Sequence, residues 1–178
     1  ESAKLSDGKK QLETGQAELD VQSKPLYEFL ALQEQVKTLL SSASQLAIDF
    51  STNGQLTSEQ EYMLVQYEFA TAELVKQLGG MTGGAVELEE QPMKYRIPML
   101  VGTLQTIDEN LEQQAIDQDI AGNLAIIEKA QAEIDANRAV LEAGEKQLKS
   151  AKKQLDEAEV EIADGFEQVE EGIEQWEE

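Results

Sequence analysis

The chain has no cysteine and no histidine among its 178 residues. Disulfide bonds and thiolate nucleophiles are therefore excluded, and so is the imidazole base of most acid–base catalysis. The glycine-rich segment at residues 79–84 lacks the Lys-Ser/Thr of a phosphate-binding P-loop and the spacing of a dinucleotide fingerprint. Carboxylates abound, but exposed helical faces would not desolvate them. The sequence predicts a protein that is not an enzyme and binds no cofactor.

Basic residues are also scarce, since 14 Lys and Arg stand against 36 Asp and Glu for a net charge of -22. Such a surface repels nucleic acid and anionic lipid headgroups, so we expect no nucleic-acid partner. Residues 155–178 hold eleven acids and no base. No uncharged stretch approaches the ~18–20 residues that span a bilayer, so any membrane span is expected outside this segment.

Aromatic residues make up only 5% of the chain. This favours a narrow apolar interface between two helices, which we call a seam, over a thick hydrophobic core. A strict repeat replaces the aromatic residues: one apolar residue every seven positions, followed three positions later by a small or slight one. In the second half the apolar residues are Ile127, Ile134, Leu141, Leu148, Leu155, Ile162, Val169 and Trp176, and the small ones are Ala130, Asn137, Gly144, Ala151, Ala158, Gly165 and Gly172. In the first part they are Leu5, Leu12, Leu19 and Leu26, followed by Gly8, Gly15 and Gln22. This period predicts a coiled coil whose small residues let two backbones approach closely.

The predicted fold is all-α, a long antiparallel coiled-coil hairpin, or stalk, with a small helical-bundle tip. Residues 1–24 would form the first stalk strand, residues 25–122 the tip, and residues 123–178 one long helix as the second strand. Pro25 is expected to interrupt or kink the first helix, with Ser23 as the candidate N-cap of the next one.

Within the tip, a second helix is expected to run to about Phe50, and a capping box at Thr57 or Ser58 to open a third helix. A loop or hairpin is expected at 79–98, because residues 86–88 and 93–97 alternate apolar with charged side chains as in a short β-hairpin. The helical pattern resumes at about Met99 and breaks or bends near Gly122.

In an antiparallel pair, the residue numbers of two facing positions add to a constant sum. Large seam residues face small ones when that sum is 177, or 170 or 184 after a shift of one heptad. The stalk seam predicted in this way joins two sets of residues, namely Leu5, Gly8, Leu12, Gly15 and Leu19 on the first strand and Gly172, Val169, Gly165, Ile162 and Ala158 on the second.

Two other parts of the sequence contain residues typical of binding sites. Asp117, Asp119, Gly122 and Glu128 stand at positions 1, 3, 6 and 12 of a calcium loop, but Ala121 offers no oxygen at position 5. We therefore predict no metal site, with Asp117, Asp119 and Glu128 as the candidate calcium ligands and a surface turn or bent helix as the alternative.

Residues 81–99 combine adaptable methionines with Tyr and Arg, a composition favoured at partner surfaces. The candidate partner-binding residues are Met81, Met93, Tyr95, Arg96, Ile97 and Met99. The alternative is that these residues cap the end of the bundle.

The runs LSDGKKQLETG at residues 5–15 and AEVEIADGF at residues 158–166 resemble a family feature. They are similar to the extracytoplasmic region of FtsX-like (MacB-type) ABC transporter permeases of Gram-positive bacteria, in which Leu/Gly/Ala heptad hairpins interrupt the loop between two transmembrane helices. Similar repeats occur in YhgE/Pip-type membrane proteins and some MMPL-like exporters. The resemblance covers about residues 2–24 and 127–178, leaves the middle out, and transfers no functional residue.

The resemblance implies a non-enzymatic stalk-and-tip domain on the extracytoplasmic side of the cell membrane. Its partners would be the flanking transmembrane helices of the same protein and an extracellular protein, peptide or substrate at the tip. The domain would relay movement from an ATP-driven membrane part or bind that partner. The alternatives are a surface or phage-receptor-like region of the YhgE/Pip type and a soluble coiled-coil scaffold arm. The chain begins at Glu1 while its heptads run to the last residue, so we expect it to be a segment of a longer protein.

Overall fold

The structure is a computed structural model that describes residues 2–78 and 91–177, without the side chains of Ser2, Glu174, Gln175 and Glu177. These residues form four α-helices, α1 (Ser2–Asn53), α2 (Ser58–Gln77), α3 (Met93–Asp117) and α4 (Ile120–Glu177), which confirms the all-α prediction. The chain divides into two compact units. We call residues 1–21 with 127–178 the paired unit and residues 22–126 the bundle unit; these boundaries lie within four residues of the predicted ones.

Helix α1 is continuous through Pro25, so the predicted interruption is wrong. Pro25 cannot donate a hydrogen bond to the carbonyl of Val21, and a proline inside a helix costs about 3 kcal/mol. Burial offsets that cost, because Leu19 and Leu26 on either side of the proline are only 8% and 7% exposed. Ser23 is itself buried inside the helix and is not an N-cap.

Helix α2 begins with a capping box at Thr57, one of the two predicted positions, whereas the predicted alternative, Ser58 with Glu61 three residues later, is wrong. The Thr57 hydroxyl accepts a hydrogen bond from the backbone N–H of Gln60 at 3.3 Å, and the Gln60 side chain accepts one from the backbone N–H of Thr57 at 3.0 Å. Gln60 also donates to the carboxylate of Asp49 at 2.7 Å, which ties the start of α2 to the end of α1.

Helix α3 begins at Met93, so the predicted β-strand at 93–97 and the predicted helix start at Met99 are both wrong. The carbonyl of Pro92 accepts hydrogen bonds from the N–H groups of Tyr95 and Arg96 and closes the first turn. Met93, Ile97 and Leu100 follow the helical spacing and pack in one core cluster, which outweighs a five-residue alternation. The other predicted strand, at 86–88, lies outside the described residues.

The break between α3 and α4 falls at residues 118–119, earlier than the predicted Gly122. Asp119 adopts a left-handed conformation (φ 47°), which aspartate tolerates better than most residues. Its carboxylate accepts a hydrogen bond from the N–H of Gly122 at 3.3 Å, and the side chain of Asn123 donates to the carbonyl of Gln118 at 2.9 Å. A Cβ on Gly122 would overlap the Asp119 carboxylate, so a larger residue there would displace this cap.

The core of the bundle unit lies between α2, α3 and residues 29–50 of α1, in two clusters along their length. The first cluster consists of Ala43, Leu46, Leu56, Leu64, Ile97, Leu100 and Leu104, and the second of Val36, Leu74, Ile107 and Leu111. From the first cluster to the second, the residue numbers fall along α1 and rise along both α2 and α3. Helices α2 and α3 are therefore parallel to each other and antiparallel to α1.

Candidate interaction surface

The seam of the paired unit is defined by two contacts between α1 and α4. A Cβ built on Gly8 would lie 3.1 Å from Cδ2 of Leu141, and a Cβ built on Gly144 would lie 3.6 Å from Cδ2 of Leu5. The residue numbers of both pairs add to 149, so the helices run antiparallel. Each leucine faces a glycine, which confirms the predicted pairing of large with small positions.

The predicted register, with a sum of 177, is wrong by 28 residues, which is four heptads, and the alternative sums of 170 and 184 are wrong as well. A shift by whole heptads again places large residues opposite small ones, so the seam alone does not select the register. The residues that flank it do. Gln16 and Gln131 donate hydrogen bonds to each other at 2.8 and 3.0 Å, and Lys9 pairs with Glu145.

The sum of 177 would instead have brought Lys9 beside Phe166 and Ile173, the apolar residues at the same flanking position. Sequence reasoning missed this signal because it compared only the seam positions. The flanking positions carry the information, as they do in antiparallel coiled coils in general.

In the observed register the first residue of α1, Ser2, stands opposite residue 147. Every residue from 151 to 173 is exposed. The predicted contacts of α1 with Ala158, Ile162, Gly165, Val169 and Gly172 are therefore wrong. We call the exposed apolar residues on the seam side of residues 155–176 the open face: Leu155, Ile162, Phe166, Val169, Ile173 and Trp176, which are 54–92% exposed.

The six predicted partner-binding residues divide between core and surface. Ile97 is 1% exposed and Met93 packs against the same core cluster, so both are structural. Tyr95 and Met99 are 52% and 40% exposed. Met81 lies outside the described residues.

Arg96, the remaining predicted partner residue, is largely buried. Its guanidinium donates to both carboxylate oxygens of Glu68, with Nε at 2.9 Å from Oε1. The side chains of Arg96 and Glu68 are 12% and 8% exposed. This ion pair joins α3 to α2 and leaves the arginine fixed in the bundle.

Helix α2 carries a stripe of exposed apolar residues. Tyr62, Val65 and Phe69 are 66%, 44% and 67% exposed, while Leu64 and Leu74 of the same helix are buried. The 3–4 spacing of apolar residues continues around most of α2, so spacing alone does not distinguish its inner from its outer face.

Two of the three candidate calcium ligands make other contacts. Asp119 caps α4, and Asp117 accepts a hydrogen bond from the side chain of Gln113 at 2.8 Å. In the part of the chain that the structure describes, no three His, Cys, Asp or Glu side chains are grouped so as to hold a metal ion. Over the same residues, no helix combines the length and the apolar character needed to cross a membrane.

Comparisons of the chain with protein-family models, with curated proteins and with solved structures find no match.

Proposed function

We propose that the protein is a non-enzymatic helical domain that acts through its coiled coil, as the extracytoplasmic region of a membrane permease of the FtsX-like class. Its task would be to carry movement from the membrane part or to hold an extracellular partner. The supporting observation is the close seam of the paired unit, where Leu5 faces Gly144 and Leu141 faces Gly8.

Glycine inside a helix is expensive, at about 1 kcal/mol relative to alanine. Gly8 and Gly144 both stand at seam positions and each meets a leucine side chain of the other helix. The cost is therefore matched by close packing, since dispersion contacts fall off steeply once a gap opens between surfaces. A closely packed pair resists bending better than a loose one, which suits a part that transmits displacement.

The flanks of the same seam favour one alignment. The Gln16–Gln131 hydrogen bonds and the Lys9–Glu145 ion pair would both be lost if the helices slid by one heptad. Polar pairs that fix register are the best-attested use of such groups in coiled coils. A fixed register supports a mechanical role because force along one helix then reaches the other without slippage.

The location can be tested by thiol labelling in intact cells, because the chain has no cysteine of its own. A single Val140→Cys variant places a thiol at a position that is 71% exposed. In the full-length protein, we expect a membrane-impermeant maleimide to label this variant in intact cells. The buried variant Leu104→Cys (0% exposed) is the matched control and should stay unlabelled until the protein is unfolded.

Labelling of Val140→Cys only after cell lysis would overturn the extracytoplasmic location and favour the scaffold arm. The mechanical role is tested separately, by loosening the seam with Leu141→Ala, which removes the side chain that packs on Gly8. If the coiled coil transmits movement, this variant should lower ATP-driven transport, with Val140→Ala as the control because Val140 is 71% exposed. Equal transport by the two variants would count against the mechanical role.

A further inference from the structure

We draw no further inference here: the strongest candidate, the surface patch of exposed apolar side chains that Tyr62, Val65 and Phe69 form along α2, is an unpartnered helix face, and nothing in the structure shows what covers it.

Discussion

Arg96 on α3 donates two hydrogen bonds to the carboxylate of Glu68 on α2, and both side chains are nearly enclosed by the bundle. Because α2 and α3 are parallel, this pair joins them near the start of α3, close to the core cluster that contains Leu64 and Ile97. An ion pair that is shielded from water is costly to break, because the remaining charge stays buried without a partner.

Arg96→Met is therefore predicted to destabilise the bundle unit by about 3–5 kcal/mol, measured by urea unfolding. The double variant Arg96→Met, Glu68→Leu removes both charges and should recover most of that loss. The exposed pair Lys76–Glu73 supplies the control, since its side chains are 74% and 52% exposed and Lys76→Ala should cost less than about 1 kcal/mol. Additive losses in the double variant would show that the pair is not energetically coupled.

The register of the paired unit is directly testable by disulfide formation. Leu5→Cys with Gly144→Cys places two thiols at facing seam positions, and mild oxidation should link them within one chain. Leu5→Cys with Gly172→Cys reproduces the register with a sum of 177 and should stay reduced. Non-reducing electrophoresis distinguishes the two, and preferential linkage of the second pair would refute the observed register.

The glycines of α1 should respond differently to alanine. A Cβ on Gly15 would meet no atom within 4 Å, so Gly15→Ala should stabilise the helix by about 1 kcal/mol. A Cβ on Gly8 would lie 3.1 Å from Leu141, so part of that gain is spent on moving the leucine and Gly8→Ala should stabilise less. Thermal unfolding followed by circular dichroism measures both, and an equal gain at the two positions would contradict the close contact at Gly8.

The turn between α3 and α4 should tolerate asparagine but not alanine at position 119. Asp119→Ala loses the hydrogen bond to the N–H of Gly122 and places an alanine at φ 47°, for a combined cost of about 2 kcal/mol. Asp119→Asn keeps an acceptor oxygen and a residue that accepts this conformation, so it should cost less than about 1 kcal/mol. Urea unfolding of the two variants side by side tests the difference.

The sequence predicted the features that depend on short-range patterns. The capping box at Thr57, the all-α fold and the facing of large and small residues follow from spacings within a few turns of helix. Each is set by local geometry, so one chain segment contains the information needed.

The features that the sequence did not predict depend on competition between distant groups. Pro25 stays in α1 because burial of Leu19 and Leu26 outweighs a local penalty that a sequence reading assigns in full. Met93 and Ile97 are helical because they pack in a core cluster with residues of α1 and α2. The register required comparison of Lys9 and Gln16 with every candidate partner on α4.

The candidate partner surface at residues 81–99 shows the same limit. Composition indicated Arg96 and Ile97 as exposed, yet one is held by Glu68 and the other fills the core. Composition does not show which face of a helix a residue occupies, and the exposed apolar residues of α2 and the open face had to be read from the structure.

The two helical segments of the paired unit are far apart in sequence, with the whole bundle unit between them. Gln16 and Gln131, which bond across the pair, are 115 residues apart, and closing a flexible loop of that length costs about 4 kcal/mol in chain entropy. Folding of residues 22–126 shortens that loop before the two helices of the coiled coil pair. The bundle unit is therefore expected to fold first, and a variant that slows its folding, such as one in the core around Leu104, should also delay formation of the coiled coil.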